Sequence, residues 1–194
     1  MKSALIVIDV QESFRQRLNW QATNCPDIAD QVDRLVGAAR GRGDLVVWVL
    51  HAEPDTGDVF DPALGFVRLM DGLKPDAGEP LLTKTSHNAF TTTNLQQRLT
   101  AAGVGAVTIC GIRTEQCCET TARLASDLGY EVTFVIDATA TTPIEHRDAR
   151  AGRSLPEVLA DPLTLGVDEI VERTEYALAG RFATIATVDE LTAS

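Results

Sequence analysis

The sequence predicts one α/β domain spanning residues 1–194, with a mostly parallel β-sheet covered by helices on both faces. Apolar runs of strand length alternate with segments whose apolar residues recur at helical spacing. Several of the strand-like runs are apolar throughout, which is typical of parallel strands buried on both faces. The 194 residues suffice for one sizeable core, and the 44% hydrophobic and 23% charged content fits a globular protein.

The first two strands and the helix between them are predicted within residues 4–50. Residues 4–8 are uninterrupted apolar sequence and predict the first strand. Residues 28–39 place apolar side chains at helical spacing, and Gly41 and Gly43 follow as signals for the end of a helix. Residues 45–50 then predict a second buried strand.

A long loop precedes the third strand. Residues 51–80 carry most of the glycine and proline loop signals, and long loops in compact domains are often functional. Residues 81–84 predict a short strand that ends in Lys84. Residues 93–102 predict a helix that Gly103 closes.

The alternation continues through the second half of the chain. Residues 106–110 predict a fourth strand, residues 115–128 a helix that stops at Gly129, and residues 131–136 a fifth strand that ends in Asp137. We expect these units to extend the same parallel sheet.

The last fifty residues have the weakest pattern. A helical stretch is expected within residues 144–165, where three prolines interrupt it. Residues 169–171 predict the last strand, and a weakly helical tail follows. The apolar residues of that tail are expected to cap the core or to pack against a partner subunit.

Composition excludes several classes of function. The net charge of −11 argues against a nucleic-acid surface, because phosphate binding needs clustered Lys and Arg. No apolar run approaches the ~20 residues that span a bilayer. The N-terminal residues lack a cleavage-site pattern and predict a strand instead of a signal peptide, so we expect a cytoplasmic protein.

The chain contains four cysteines: Cys25, Cys110, Cys117 and Cys118. An even number permits disulfides, but a chain of this size with its own core and no secretion signal is expected to keep reduced thiols. The spacing also lacks the paired C-x-x-C pattern of a structural zinc site. Each cysteine is therefore a candidate either for packing or for nucleophilic chemistry.

Cys117 has the most informative position among them. The fourth strand stops near Gly111, the chain turns, and a helical pattern begins close to Cys117. This places a thiol at a helix N-terminus, where unpaired N–H groups and the helix dipole are expected to favour the thiolate and to stabilise an oxyanion. The alternative is that Cys117 packs inward with neighbouring apolar helix residues.

Asp9, Lys84 and Cys117 share a place at or just beyond the carboxyl end of a predicted strand. These ends lie along one edge of a parallel sheet, so the three side chains can converge there. A cysteine nucleophile needs a base, which a buried aspartate can supply, and a cation that balances the charge. Taken singly, each residue has a simpler explanation: a turn residue, a solvated charge and a packing cysteine.

From near residue 4 to about residue 142 the chain resembles the isochorismatase-like or cysteine hydrolase superfamily. The matching segments are residues 4–11 with Phe14, Lys84 with residues 89–90 and Leu95, and residues 111–118 continuing through residues 121–122, 129–130 and 137–138. The resemblance implies a Rossmann-like, three-layer α/β/α sandwich with a six-stranded parallel sheet. It also implies that Asp9, Lys84 and Cys117 are the acid/base, the lysine and the nucleophile of a catalytic triad.

The resemblance further distinguishes residues around the nucleophile. The family's cysteine is the first residue after a T-x-x pattern, which selects Cys117 over Cys118. The family also has a cis peptide bond before the residue that corresponds to Arg113. Its implied use is to direct the backbone N–H of Arg113, together with that of Cys117, at the substrate oxyanion.

A retained cysteine favours attack on a carbonyl carbon, so we expect hydrolysis of a C–N bond in a small amide or urea-like substrate through a thioester. Isochorismatases that cleave a vinyl ether typically lack this cysteine. Nicotinamidases of the superfamily hold a metal through an Asp-x-His pair, which is absent here. A metal site built from His51, Glu53 and His87 is an open alternative, although we expect no metal and no cofactor.

The expected substrate contacts come from residues around the predicted pocket. These are Gln11, Phe14, His87, Phe90 and Gln116, with Trp20, Asn88 and Arg113 as further neighbours. Arg113 could pair with a substrate carboxylate or point to solvent. The expected partners are a small-molecule substrate and further copies of the chain in a homodimer or larger homo-oligomer.

Two other classes of function remain as alternatives. A flavodoxin-like nucleotide binder needs a phosphate loop after the first strand, but residues 9–13 contain two acids and no glycine. A non-catalytic binding protein of the same fold is the second alternative, and the presence of all three triad residues argues against it.

Overall fold

The computed structural model describes residues 1–193 and contains a six-stranded, all-parallel sheet in the order β3-β2-β1-β4-β5-β6. The strands are β1 (Lys2–Ile8), β2 (Leu45–His51), β3 (Leu81–Lys84), β4 (Val104–Ile112), β5 (Glu131–Ala140) and β6 (Thr184–Ala186). From β1, the strands β2 and β3 are added toward one edge of the sheet. The strand β4 then pairs with the other side of β1, and β5 and β6 are added toward the opposite edge. The order therefore reverses between β1 and β4, where ligands bind in sheets of this kind.

Helices cover both faces of the sheet. They are α1 (Glu12–Arg15), α2 (Ile28–Arg42), α3 (Leu95–Ala102), α4 (Glu119–Asp127), α5 (Leu155–Ala160), α6 (Val167–Leu178) and α7 (Val188–Thr192). Buried residues of α2 and α7 pack in one core cluster with one face of the sheet. Buried residues of α3, α4 and α6 pack in a second cluster with the other face. The predicted three-layer α/β/α sandwich is confirmed.

The central strands agree with their sequence pattern. Residues 4–8 of β1 are each at most 2% exposed, as expected for a parallel strand covered on both faces. The helix α2 ends at Gly43, which has a left-handed φ of 76° that closes the helix with little steric cost.

The prediction of a last strand at residues 169–171 is wrong, because these residues lie inside α6. The side chain of Glu169 accepts a hydrogen bond from the N–H of Gly166 and so helps to begin the helix. Ile170, Thr174 and Leu178 are buried at a spacing of four residues, which is the periodicity of a helix and not of a strand. The sixth strand is β6, only three residues long, and its short length explains why the sequence pattern missed it.

No helix within residues 1–193 combines the length and the apolar character needed to cross a lipid bilayer.

Candidate active site

The carboxyl ends of β1, β3 and β4 bring three sequence-predicted residues together. Asp9 follows β1, Lys84 is the last residue of β3, and Cys117 lies in a turn that follows β4. The Lys84 Nζ atom lies 2.7 Å from Asp9 Oδ2 and 3.4 Å from Cys117 Sγ. One ammonium group thus bridges a carboxylate and a thiol.

This group of side chains is almost closed to solvent. Asp9 and Lys84 are fully buried, and Cys117 exposes 7% of its surface. The ion pair is short, yet within residues 1–193 neither Asp9 oxygen accepts a well-directed hydrogen bond. A buried carboxylate with unused acceptor capacity can take a proton from a neighbouring group.

Burial and charge act in opposite directions on the two ionised groups. Burial raises the pKa of Asp9 above its usual range, and the nearby Lys84 charge only partly offsets this effect. Burial by itself would lower the pKa of Lys84, but the charge of Asp9 and the contact with Cys117 outweigh it, so the pKa of Lys84 is raised and the ammonium stays charged. A carboxylate with a raised pKa is better suited to act as a general base.

The expectation that the helix N-terminus favours a Cys117 thiolate is wrong for the free protein. Burial raises the pKa of Cys117 to about 12, and the negative charge of Asp9 adds to the increase. Lys84 acts in the opposite direction but does not compensate. The raised pKa favours a neutral Cys117 thiol, and a neutral thiol needs a base before it can act as a nucleophile.

The backbone next to Asp9 has an unusual conformation. Asp9 adopts a left-handed φ of 54°, which residues other than glycine seldom adopt. Its N–H donates to the Val49 carbonyl at 2.8 Å, and its own carbonyl accepts from Gln11 N–H at 2.8 Å. On the neighbouring strand, Gly111 has φ 129°, and an added Cβ would overlap the carbonyl oxygen of Ile8. Only glycine fits this approach of β4 to β1.

Cys117 is held by the turn that precedes α4. Residues Thr114–Cys118 form one π-helical turn, in which the N–H of Cys118 donates to the Arg113 carbonyl at 3.1 Å. The Thr121 hydroxyl donates to the Cys117 carbonyl at 2.6 Å and accepts the N–H of Ala89 at 3.1 Å. The turn that contains Cys117 is thereby tied to the loop that follows Lys84.

The peptide bond between Ile112 and Arg113 is cis, at the position where the family resemblance places it. The Arg113 side chain turns toward the end of β5, where its Nη2 atom donates to the carbonyl of Thr142 at 2.6 Å and to its hydroxyl at 2.9 Å. Its Nε atom lies 3.3 Å from Glu115 Oε1. Much of the guanidinium is thus engaged within the protein, which leaves less of it for a substrate carboxylate.

Two of the predicted substrate-binding residues have other partners in the structure. The Gln11 side chain is fully buried, and its amide bonds to the backbone N–H and carbonyl of His51 and to the Ser13 hydroxyl. These bonds use both ends of the amide to link Gln11 to the end of β2, and its role in substrate binding stays a prediction. Phe14 packs edge-on against Phe60 with ring centroids 4.9 Å apart, in the core.

The other three predicted binding residues differ in exposure. Phe90 is buried and stacks on Tyr130 with ring centroids 6.1 Å apart, so it also belongs to the core. His87 is exposed on the loop after β3. Gln116 is half-buried beside Cys117 in the π-helical turn.

His51 has a contact that sequence reasoning missed. It was considered only as a metal ligand, yet its Nδ1 atom lies 3.3 Å from Lys84 Nζ and its Nε2 atom lies 3.1 Å from Glu53 Oε1. Both residues end their strands, and His51 pairs with Lys84 in the parallel register of β2 and β3. The strand-end position of His51 could therefore have indicated its contact with Lys84. Residues 1–193 contain no group of three His, Cys, Asp or Glu side chains arranged to hold a metal, and His87 does not join His51 and Glu53.

Comparison with known proteins identifies similar chains. Residues 3–164 match the model of the isochorismatase domain. An uncharacterized isochorismatase family protein of Bacillus subtilis is 28% identical over 190 residues, which cover 98% of this chain and 94% of that protein. A streptothricin hydrolase of Streptomyces noursei is 36% identical over 146 residues, which cover 73% of this chain but only 50% of that protein. The crystal structure of an isochorismatase from Pseudomonas putida superposes with a TM-score of 0.82 at 28% identity, covering 97% of this chain and 89% of that one.

Proposed function

This chain belongs to the isochorismatase family of hydrolases, and we propose that it uses Cys117 to cleave a C–N bond in a small amide or urea-like substrate. The observation that carries the proposal is the Lys84 ammonium, which lies within hydrogen-bond reach of both Asp9 and Cys117. A thiol, a carboxylate with a raised pKa and a fixed cation are the groups that nucleophilic attack on a carbonyl carbon requires. The name of the Streptomyces noursei relative, a hydrolase, is consistent with this reaction type.

The first half of the proposed reaction forms a thioester. Asp9 accepts the Sγ proton of Cys117, and the thiolate attacks the substrate carbonyl carbon. The backbone N–H groups of Arg113 and Cys117 donate to the tetrahedral oxyanion. Asp9 then gives its proton to the leaving nitrogen, the C–N bond breaks, and the acyl group stays on sulfur.

The second half releases the acyl group. Asp9 takes a proton from water, the hydroxide attacks the thioester carbonyl, and the C–S bond breaks. The leaving thiolate then recovers the proton from Asp9, so the enzyme returns to its starting state. Lys84 stays charged throughout and stabilises whichever of Asp9 and Cys117 carries the negative charge.

Fewer residues are candidates for contact with the substrate than the sequence suggested. Gln116 adjoins Cys117 in the chain, and His87 lies on the loop that follows Lys84. Both keep exposed surface for a ligand, whereas Gln11, Phe14 and Phe90 are buried.

The proposal is tested by measuring ammonia release from a panel of small amides, carbamoyl compounds and ureides. We expect the wild-type protein to hydrolyse at least one class and Cys117→Ala to lose kcat by about 10³-fold or more, because a covalent nucleophile cannot be replaced by a methyl group. Cys118→Ala is the matched control, since Cys118 is a buried neighbour with the same side chain. It should keep turnover within about threefold.

A second measurement looks for the intermediate. Rapid acid quench and mass spectrometry should find the substrate's acyl mass on the peptide that contains Cys117, in the Cys118→Ala background. Hydrolysis that survives Cys117→Ala, or an acyl group carried elsewhere, would contradict the mechanism. Absence of ammonia release across the whole panel would favour a non-catalytic binding protein of the same fold.

A further inference from the structure

The Lys84 ammonium has a third partner besides Asp9 and Cys117. An ammonium group carries three N–H donors, and three groups surround Nζ. The Asp9 carboxylate forms an ion pair with it at 2.7 Å from Oδ2, and the acceptors His51 Nδ1 and Cys117 Sγ lie at 3.3 and 3.4 Å. Lys84 is fully buried, so water does not compete for these donors. His51 therefore completes the hydrogen bonding of the buried cation.

The contact with Lys84 assigns the tautomer of His51. An ammonium has no lone pair, so Nδ1 must accept and cannot carry a proton. The ring proton is then on Nε2, which donates to Glu53 Oε1 at 3.1 Å. Glu53 lies nearer the surface than His51, since 42% of its side chain is exposed, against 13% for His51. A carboxylate at Nε2 holds the ring in the tautomer that Lys84 needs.

The backbone of His51 is fixed as well. Its N–H donates to Gln11 Oε1 at 2.7 Å, and its carbonyl accepts from Gln11 Nε2 at 3.0 Å. Its ring meets the edge of Phe60, with centroids 5.7 Å apart. Each ring nitrogen of His51 thus has a partner, the ring packs against Phe60, and the main chain is hydrogen-bonded to Gln11. These contacts fix the orientation of the ring.

We propose that His51, oriented by Glu53 and Gln11, is a positioning residue that holds the Lys84 ammonium between Asp9 and Cys117. Its role in turnover rests on the proposed function, but its effect on the thiol does not. If Nδ1 is lost, one N–H of a buried ammonium has no acceptor, and the cation moves away from the sulfur to find another. The charged groups that face His51 are Lys84 and Glu53, with Asp9 beyond Lys84.

The test compares two substitutions of similar size and shape in the Cys118→Ala background. His51→Asn keeps an acceptor oxygen close to the place of Nδ1, whereas His51→Leu has none. The first measurement is the rate of iodoacetamide alkylation of Cys117 between pH 7 and 10, followed by peptide mass spectrometry. A displaced cation no longer stabilises the thiolate, so His51→Leu should react about tenfold more slowly at each pH, and His51→Asn within about twofold of the parent.

The second measurement is turnover on the best substrate of the amide panel. We expect kcat to fall by about 10- to 100-fold in His51→Leu with a smaller change in KM, and His51→Asn to recover most of it. Equal alkylation rates in His51→Leu and the parent, or equal losses in both variants, would overturn the proposal.

The two proposals fail separately. If no compound in the panel is hydrolysed, the proposed function fails. The alkylation rates still show whether His51 holds the Lys84 ammonium beside Cys117. If His51→Leu does not fold, His51→Phe takes its place, because a phenyl ring keeps the contact with Phe60 and also lacks an acceptor.

Discussion

Cys117 is a buried thiol whose pKa depends on its burial and on the two charges beside it. Burial, and to a smaller extent the charge of Asp9, raise its pKa to about 12, while Lys84 acts in the opposite direction. Helix termini favour thiolates by modest amounts in partly exposed sites, and here desolvation outweighs that effect. The raised pKa favours a protonated thiol in the free protein, and in the proposed mechanism Asp9 removes that proton.

Asp9→Asn separates the two roles of the carboxylate. Asparagine has nearly the same shape but cannot accept the thiol proton, so kcat should fall by about 10²- to 10⁴-fold. Asp9 raises the pKa of Cys117, so removing its charge should lower that pKa from about 12. The alkylation of Cys117 should therefore accelerate at pH 8 to 9 while turnover is lost, as measured by iodoacetamide kinetics and ammonia release.

The Cys118→Ala protein is the reference for this experiment and should show neither change. Slower alkylation of Asp9→Asn would mean that the carboxylate helps to ionise the thiol in the free protein, contrary to the electrostatics described above. If Asp9→Asn retained turnover, Asp9 would not be the general base.

The helix α4, which directly follows the turn that contains Cys117, is anchored through its first residue, Glu119. Its buried carboxylate accepts from Arg123 at 2.9 Å, from Arg173 at 3.0 Å and from the Thr174 hydroxyl at 3.1 Å. The last two partners lie on α6, so one side chain joins α4 to α6.

Glu119→Gln should therefore destabilise the protein. The amide removes the negative charge and leaves at least one buried partner without an acceptor, which costs about 1–3 kcal/mol in the free energy of unfolding. Urea denaturation followed by circular dichroism measures this difference. Glu175→Gln, an exposed glutamate on α6, is the matched control and should change the free energy by less than about 0.5 kcal/mol. Equal stability of the two variants would show that the Glu119 network contributes nothing measurable.

The sequence predicts elements well where local pattern and tertiary environment agree. The uninterrupted apolar run in β1 and the glycine-terminated helix α2 were recognisable for this reason. The prediction of a strand at residues 169–171 was wrong because a pattern of three residues is too short to distinguish a strand from one turn of a helix. The three-residue β6 exists only because β5 offers it an edge to pair with.

On the scale of the whole molecule, the reversal of strand order between β1 and β4 creates the site. Ile8 pairs with Val49 on one side and with Gly111 on the other, so the residues after β1 and β4 emerge side by side. The homodimer or larger assembly expected from the sequence stays a prediction.

Protection against amide hydrogen exchange should follow this architecture. The central strands β1 and β4 each pair on both sides and are covered by helices on both faces, so their amides should open only with global unfolding. The short edge strands β3 and β6 pair on one side and should exchange at least about tenfold faster. Hydrogen-exchange mass spectrometry with peptides from each strand measures this, and stronger protection of β6 than of β1 would contradict it.

The sequence by itself determined the α/β class, the parallel sheet and the candidates Asp9, Lys84 and Cys117, because hydrophobic periodicity and strand-end position are local properties of a chain. Only the tertiary structure decided the burial of Cys117, which raises its pKa, and the contact between Lys84 and His51. It also showed that the Gln11 amide bonds to the main chain of His51. Desolvation and hydrogen bonding depend on which segments pack against one another, and for these residues the partners lie tens of residues away in the chain.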